Sequence, residues 1–424
     1  MVGARRGIAK PAPDRVAWEA MLSGLRVLDL TDESGWLAGK ILGDLGADVI
    51  KIEPAGGDRE GRRPPFLHGI ADPEHSLAWL ALNTSKRGIT LDLAAPAGRS
   101  VFARLVATAD ALLESFAPGT LDAWGIGFAA LRRAHPRLVH CAMTPFGQTG
   151  PHAGFRARDL VVVAMGGNAL LTGDPDRPPL RCSMPTAYYH AAPEAVLGIL
   201  MALQARESSG RGDFVDVSLH ECQLASLLGA PGMHATAKNP PKRSGPRTGR
   251  TREIWPVRDG HVSFGLRGGA ARVPGLRALV AWMDEEGLAP GWLRDYDWER
   301  FRPEALDGAE LARLEDVFGA FFAVHAMREL YEGALARRVL LAPCNDAREV
   351  IEQRQLRERG LFVALDYPEL GAAIEHPAFF ARSSAHATAI RRRAPRIGEH
   401  NGEIFAELGL AAAELEKLAA EGVT

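Results

Sequence analysis

Residues 25–53 read LRVLDLTDESGWLAGKILGDLGADVIKIE, and this stretch decides the fold. Residues 25–30 form a short apolar run typical of a buried strand, and residues 36–45 carry apolar side chains at helical spacing. After Gly46, residues 48–53 form a second strand. This order predicts a βαβ unit of the Rossmann kind. The first turn reads TDESGWLAG rather than GxGxxG, so dinucleotide binding is only a minor alternative.

The same alternation continues along the first half of the chain. We expect a strand after residue 86, a helix over 97–108, a strand at 111–114 and a central strand at 138–143. At 424 residues the chain is long enough for two domains. Residues 255–340 are rich in aromatics and predict a smaller α+β domain. The fold class is therefore α/β, with a Rossmann-like large domain and a smaller one.

The loop after the central strand is the first candidate for chemistry. Residues 146–167 read FGQTGPHAGFRARDLVVVAMGG and present one acid, Asp159. Ligands of open α/β sheets bind at the carboxyl ends of strands, and a desolvated carboxylate can attack an activated carbonyl. Gly166 and Gly167 are small enough to let backbone N–H groups approach the resulting oxyanion. The alternative is that Asp159 caps a helix beginning at Leu160.

Two further strand-end segments carry candidate binding residues. Lys86 and Arg87 precede a strand, where cations suit phosphate, although a solvated turn is an equal alternative. Ser115 and Phe116 follow the strand at 111–114, and the phenyl ring can stack on a base or anchor the loop.

Composition excludes several classes of partner. The net charge is −2, so no overall field favours nucleic acid, and the basic run at 240–252 lacks interleaved aromatics. The four cysteines lie far apart in the sequence, and the histidines lack the spacing typical of metal ligands. We therefore expect neither disulfides nor a metal site. No apolar run reaches the roughly 20 residues that a membrane span needs. We expect a cytoplasmic protein that binds neither membrane nor metal.

The motifs taken together resemble the family III CoA-transferases, the CaiB/BaiF-like group of carnitine dehydratase and formyl-CoA transferase. The resemblance covers nearly the whole chain, in the family's order. Its segments are GDLGADVIKIEPAGGD (43–58), NTSKRGITLDL (83–93), ESFAPGTLDAWGIGF (114–128), HPRLVH (135–140), FGQTGP (146–151), GRGDFVDVSLHE (210–221), PVRDGHV (256–262), LAPCND (341–346) and APRIGEHNGEIFAELGL (394–410).

The resemblance implies a CoA-transferase in which Asp159 attacks an acyl-CoA thioester. An aspartyl anhydride and then an aspartyl-CoA thioester follow, and a carboxylic acid finally takes the CoA. Coenzyme A enters as the acyl-CoA substrate, and no metal takes part. Gly166 and Gly167 match the family's turn near the acid, and the segments matching the CoA contacts contain Lys86, Arg87, Ser115 and Phe116.

The sequence, together with the resemblance, predicts how the chain is divided, and the resemblance alone implies how it assembles. We expect a flexible tail at 1–20, a large CoA-binding domain at 21–230 and a small domain at 231–340. A return linker at 341–390 then leads to residues 391–424, which complete the large domain. Two chains are expected to interlock as a homodimer, although a heteromer with a related chain is also possible.

Three departures from the family pattern leave alternatives open. Val163 stands where Gln is frequent, Ser115 where Asn is usual, and residues 185–189 (PTAYY) lack a common acid. A non-catalytic subunit of a heteromeric transferase is therefore one alternative. A 2-methylacyl-CoA racemase is another, but racemases of this type carry His before the acid, where this chain has Arg158. The sequence identifies neither the donor thioester nor the acceptor acid.

Overall fold

The computed structural model describes residues 20–58, 61–238 and 241–424. Apart from Ala20, the tail predicted at 1–20 lies outside the described residues. The described chain divides into two compact units. The first contains residues 20–168, 182–228 and 357–424, and the second contains 169–181 and 229–356.

A six-stranded parallel sheet organises the first unit. Its strands are β1 (Arg26–Leu30), β2 (Asp48–Glu53), β3 (Lys86–Thr90), β4 (Ala111–Glu114), β5 (Val139–Thr144) and β6 (Phe214–Ser218). They lie in the order β3-β2-β1-β4-β5-β6, and neighbouring strands pair in parallel. The direction of winding reverses between β1 and β4, and ligands of such sheets bind beside that reversal at the carboxyl ends of the strands.

Helices cover this sheet on the segments between strands. They are α1 (Trp36–Leu45), α2 (Leu77–Leu82), α3 (Pro96–Val106), α4 (Thr120–Ala123), α5 (Phe128–Ala134), α6 (Asp159–Met165), α8 (Thr186–Ser209) and α9 (Leu219–Cys222). Helix α7 (Asn168–Leu171) begins at the last residue of a first-unit segment and continues into the second unit. The predicted bounds of α1, β2 and β4 agree with the structure. Leu28 and Ile50 are fully buried, as expected for strands covered on both faces.

Helical spacing of apolar residues in the sequence predicts a helix over 191–206, and helix α8 begins five residues earlier. It runs through Pro193 for 24 residues and ends at Gly210, which has a left-handed backbone. The extra turn at its start brings Ala187 and Tyr188 into the first turn of a long helix, and both residues are buried.

The second unit is built around an antiparallel sheet and an aromatic core. Its strands are β7 (Arg247–Thr248), β8 (Thr251–Arg252), β9 (Ile254–Val257), β10 (Gly260–Phe264) and β11 (Leu341–Pro343), and its helices are α10 (Ala230–Gly232), α11 (Val273–Glu285), α12 (Gly291–Arg294), α13 (Gly308–Ala323), α14 (Met327–Arg337) and α15 (Ala347–Glu352). The main sheet has the order β11-β10-β9. Residues 341–343, expected in a return linker, instead pair with β10, where Val262 lies opposite Pro343.

Arginines of the basic run at 240–252 contact other residues of the second unit. Residue 240 itself lies outside the described part of the chain. Arg247 forms an ion pair with Glu315 at 2.7 Å. Arg250 donates to the carbonyl oxygens of Pro303, Glu304 and Leu306. These contacts make the run a structural element rather than a solvated linker.

The final segment of the chain belongs to the first unit. It begins within α16 (Arg354–Glu358), whose first three residues belong to the second unit, and contains the hairpin of β12 (Phe362–Tyr367) and β13 (Ala372–Pro377), α17 (Asn401–Glu407) and α18 (Ala412–Ala420). The hairpin was not expected within the predicted linker at 341–390, and it is anchored by the buried Tyr367 and His376. At the edge strand β3, His400 and Asn401 accept the backbone N–H groups of Gly88 and Thr90. No helix among the described residues is long and apolar enough to span a membrane.

Candidate active site

A cavity opens at the carboxyl ends of the first four strands, beside the reversal between β1 and β4. It has a volume of about 240 Å³. Strand ends supply most of its walls, because each apolar strand gives way there to a polar turn. The lining residues are Leu30, Thr31, Asp32, Lys51, Ile52, Glu53, Pro54, Asp58, Leu91, Asp92, Leu93, Ser115, Phe116 and Trp124. Such a cleft is the usual ligand site of an open α/β sheet.

Ser115 and Phe116 both line this cavity. The Ser115 hydroxyl accepts the N–H of Asp32 at 2.8 Å, and the Phe116 N–H donates to a Glu114 carboxylate oxygen at 2.6 Å. The Phe116 ring packs edge-on against Trp124, with ring centroids 5.3 Å apart. Local hydrogen bonds therefore hold both side chains at the wall of the cleft.

Asp159 is the first residue of α6 and follows the loop that leaves β5. Its half-buried carboxylate accepts the backbone N–H of Ala187 at 2.8 Å, and its own N–H donates to the Tyr188 hydroxyl at 3.1 Å. Arg158 precedes the helix, and no side-chain cap is formed there. The capping alternative is therefore not observed, because Asp159 accepts from the first turn of α8 instead. The positive end of the α8 dipole stabilises negative charge at this position.

Two tyrosines and a second acid surround Asp159, and sequence reasoning did not identify them. Burial, followed by the negative charges of Glu33, Asp32 and Asp159, raises the pKa of Tyr188 to about 12. Burial, followed by the charges of Asp159 and Glu33, also raises the pKa of Tyr189. Both phenols are consequently neutral near pH 7. The sequence did contain one signal for them, because the two adjacent tyrosines lie in the segment 185–189 that lacks the acid common in the family.

Glu33 lies in the loop after β1 and pairs with two arginines from other parts of the chain. It forms an ion pair with Arg158 at 3.2 Å and another with Arg63. Burial raises the pKa of Glu33, and the charge of Arg63 opposes that rise. Glu33 and Arg158 also line a second cavity of about 400 Å³, together with Asp32 and Asp58. Ionisable groups of both signs thus line this cavity, and one of them, Arg158, immediately precedes Asp159.

Gly166 and Gly167 lie at the opposite end of α6 from Asp159. At about 1.5 Å per residue, the seven-residue helix separates them by roughly 10 Å. Their N–H groups donate to the carbonyl oxygens of Val162 and Ala164. Packing explains the first glycine, because a Cβ there would lie 2.5 Å from the Cβ of Gln223, and Gly167 has φ +87°. The structure does not bring these N–H groups to the carboxylate as oxyanion donors.

Lys86 is fully buried at the start of β3. Its ammonium group donates to Asp29 Oδ2, the Trp36 carbonyl and Asn83 Oδ1, each at 2.8 Å. Burial is the main reason that the pKa of Lys86 falls to about 8, and the charge of Lys51 contributes. These contacts hold the ammonium inside the protein, where its three donors already have protein acceptors.

Arg87 is likewise held by carboxylates. It pairs with Asp48, Glu403 and Glu407, at 2.6, 2.7 and 2.5 Å. The pairs tie β3 to β2 and to α17, and they occupy the guanidinium at the amino end of the strand. The structure therefore holds the Arg87 guanidinium at the amino end of β3, whereas Asp159, Ser115 and Phe116 follow the carboxyl ends of their strands.

Comparisons with known proteins find relatives along nearly the whole chain. A model of CoA-transferase family III matches residues 22–401. The succinyl-CoA:(R)-benzylsuccinate CoA-transferase subunit of Thauera aromatica is 32% identical over 397 residues, covering 93% of this chain and 96% of that protein. The succinate–glutarate CoA-transferase of Agrobacterium fabrum is 31% identical, covering 91% and 95%. A crystal structure of a CaiB/BaiF family protein from Brucella suis superposes with a TM-score of 0.80 at 28% identity, covering 92% of this chain and 100% of that one.

Proposed function

The chain belongs to CoA-transferase family III and is an enzyme of the CoA-transferase type, and we propose that it transfers CoA through covalent intermediates on Asp159. One observation carries this proposal. The Asp159 carboxylate stands at the carboxyl side of the parallel sheet, held by the Ala187 N–H at the start of a 24-residue helix. A carboxylate nucleophile needs position, partial desolvation and donors for developing charge, and it needs no metal.

The proposed reaction has four balanced steps. A carboxylate oxygen of Asp159 adds to the thioester carbonyl, and the C–S bond breaks to release CoA thiolate and leave a mixed anhydride. The thiolate attacks the aspartyl carbonyl, which releases the donor's carboxylate and forms an aspartyl-CoA thioester. The acceptor carboxylate then displaces the thiolate and forms a second anhydride. Attack of the thiolate on the acceptor's acyl carbon yields the new acyl-CoA and restores Asp159.

We assign CoA to the cleft at the ends of β1 to β4. Ser115 and Phe116 form part of its wall, and the Phe116 ring offers an apolar face for a nucleobase. Relatives named for succinate, glutarate and benzylsuccinate supply the first acids to test, with succinyl-CoA as the donor.

We propose that the working form is a homodimer of interlocked chains, as the resemblance implies. Large apolar side chains remain exposed on α8 and on the segment that follows α9. Leu197 and Met201 are 52% and 64% exposed, and Leu228 is 79% exposed. Covering them in an assembly removes apolar surface from water. Sedimentation of the purified chain tests this, and a monomer active only with a second chain would instead favour a heteromeric enzyme.

Trapping with hydroxylamine tests the proposed mechanism. The protein is mixed with succinyl-CoA or formyl-CoA, and peptides are analysed by mass spectrometry. We expect a hydroxamate on the Asp159 peptide. In Asp159→Asn, which keeps an acceptor oxygen for Ala187, we expect no hydroxamate and at least ~10⁴-fold slower transfer. Asp159→Ala controls for conversion of the asparagine back to aspartate. Full transfer activity in folded Asp159→Ala would refute the assignment.

A further inference from the structure

The hydrogen bonds of Asp159 reveal where donors for an oxyanion lie. In the reaction proposed above, on which this inference rests, both CoA thiolate and acceptor carboxylate attack the acylated carboxyl group of Asp159. Negative charge then develops on an oxygen of Asp159 itself. Preorganised donors aimed at such an oxygen are among the largest contributions to catalysis.

The first donor is the backbone N–H of Ala187, which lies 2.8 Å from Asp159 Oδ1. Ala187 is the second residue of α8, where backbone N–H groups have no acceptor within the helix. Its hydrogen bond to Asp159 therefore costs the helix no internal bond. The same N–H can hold Oδ1 as a carboxylate oxygen, as a carbonyl oxygen and as an oxyanion.

The second donor is the hydroxyl of Tyr188, the next residue of α8. Its side chain is buried, and its oxygen accepts the Asp159 N–H at 3.1 Å. Because that bond uses a lone pair of the oxygen, the phenolic proton remains to be donated to another acceptor, and the carboxyl group belongs to the same residue as the N–H that the oxygen accepts. Burial and the charges of Glu33, Asp32 and Asp159 keep the phenol protonated, with a pKa of about 12.

We propose that Tyr188 is a catalytic residue whose hydroxyl donates a hydrogen bond to the oxyanion on the carboxyl group of Asp159. When CoA thiolate adds to the Asp159 carbonyl carbon, a C–S bond forms and the π pair moves to the oxygen. When that pair returns, the bond to the departing carboxylate breaks. Tyr188 and Ala187 stabilise the charge between these events, and no proton is transferred.

Tyr188→Phe is the first test, because it keeps the buried ring and removes the hydroxyl. We expect kcat to fall by ~10²–10³, the usual effect of losing one oxyanion donor, with the KM for the acyl-CoA ester unchanged. Tyr367→Phe is the matched control. Tyr367 is also buried, has its pKa raised by burial to about 12, and contacts His376 at 3.1 Å. We expect that control to keep full kcat.

Difluorotyrosine at position 188 separates a donor from a structural acceptor. Fluorine lowers the pKa of the phenol while nearly preserving its shape. If Tyr188 donates, kcat falls as pH rises through the new pKa, because the phenolate has no proton and adds charge beside Asp32, Glu33 and Asp159. If its oxygen only accepts the Asp159 N–H, the phenolate still accepts, and no new alkaline limb appears. The latter result would overturn the inference.

Hydroxylamine trapping distinguishes this inference from the proposed function. A hydroxamate on wild-type Asp159, together with wild-type kcat in folded Tyr188→Phe, would remove Tyr188 from the reaction and leave the aspartyl mechanism standing. Absence of any modification of wild-type Asp159 by the whole ester panel would remove the mechanism, and with it the role of Tyr188.

Discussion

Replacing Lys86 with methionine distinguishes a structural lysine from a phosphate ligand. The side chain of Lys86 is fully buried, and its ammonium pairs with Asp29. Removing one partner of a buried ion pair typically costs 3–5 kcal/mol, because the other charge remains desolvated. Lys51 stays 3.5 Å from Asp29 as a second cation, so we expect the lower end of that range, about 3 kcal/mol. Methionine fills much of the same volume, which limits any added cavity.

Hydrogen exchange of the β1, β2 and β3 peptides measures this effect locally. When the free energy of opening falls by about 3 kcal/mol, amide exchange through the open state becomes roughly 100-fold faster. The KM for the acyl-CoA ester should stay unchanged, because the ammonium is held within the protein. A lost charge-assisted bond to a CoA phosphate would instead weaken binding by about 1.5–3 kcal/mol, or at least tenfold in KM.

The pH dependence of wild-type stability supplies a second readout. The pKa of Lys86 is lowered to about 8, chiefly by burial, whereas its usual value is 10.5. Between these values the unfolded chain binds a proton that the folded chain has lost, so this group makes stability rise with pH. Lys86→Met should remove that rise. A raised KM with unaltered exchange in Lys86→Met would refute the structural role and restore the phosphate assignment.

Two further predictions concern the cleft and the C-terminal hairpin. Phe116→Ala should raise the KM for the acyl-CoA ester about tenfold through lost stacking and apolar contact; an unchanged KM in steady-state assays would place the nucleobase elsewhere. Burial lowers the pKa of His376 to about 4, so the unfolded chain binds a proton between pH 6.5 and 4 that the folded chain does not. As the pH decreases from 6.5 to 4, the free energy of unfolding should therefore fall by at most about 3 kcal/mol. His376→Gln should flatten the fall, as measured by exchange of the β12–β13 amides, and an equally steep fall in that variant would contradict the assignment to His376.

The sequence predicted the sheet well because each central strand is a short apolar run, buried on both faces, whose signal lies in its own residues. The bounds of α1 and β2 are set by nearby signals, including Gly46, whose φ of 118° suits glycine at the end of a helix. The hairpin of β12 and β13 was missed for the opposite reason. Most of its side chains are half-exposed or exposed, and the buried Tyr367 packs with Trp36 and Trp79, which are distant in sequence.

Long-range pairing also explains why the two predicted cations were assigned a ligand. Lys86 and Arg87 look available in NTSKRGITLDL, where no acidic residue lies within four positions of either. Their partners lie far away, since Asp29 precedes Lys86 by 57 residues and Glu407 follows Arg87 by 320. A single sequence does not display such partners. It displays the charge alone, and charge next to a strand resembles a phosphate site.

The proposed nucleophile is easier to identify in the sequence than the groups proposed to assist it, and chemistry accounts for the difference. Attack by a carboxylate requires an acid at that position, so Asp159 leaves a residue-type signal. A backbone N–H can come from any residue except proline, so Ala187 leaves none. Conversely, glycines draw attention as backbone donors, although Gly166 is explained by its packing against Gln223. Tyr188 is an intermediate case. Its residue type can be read from the sequence, but its proposed role depends on helix α8, which places the hydroxyl next to Asp159. Wherever a covalent intermediate forms on a loop acid, the helix whose N–H binds that acid is therefore the place to look for the remaining donors.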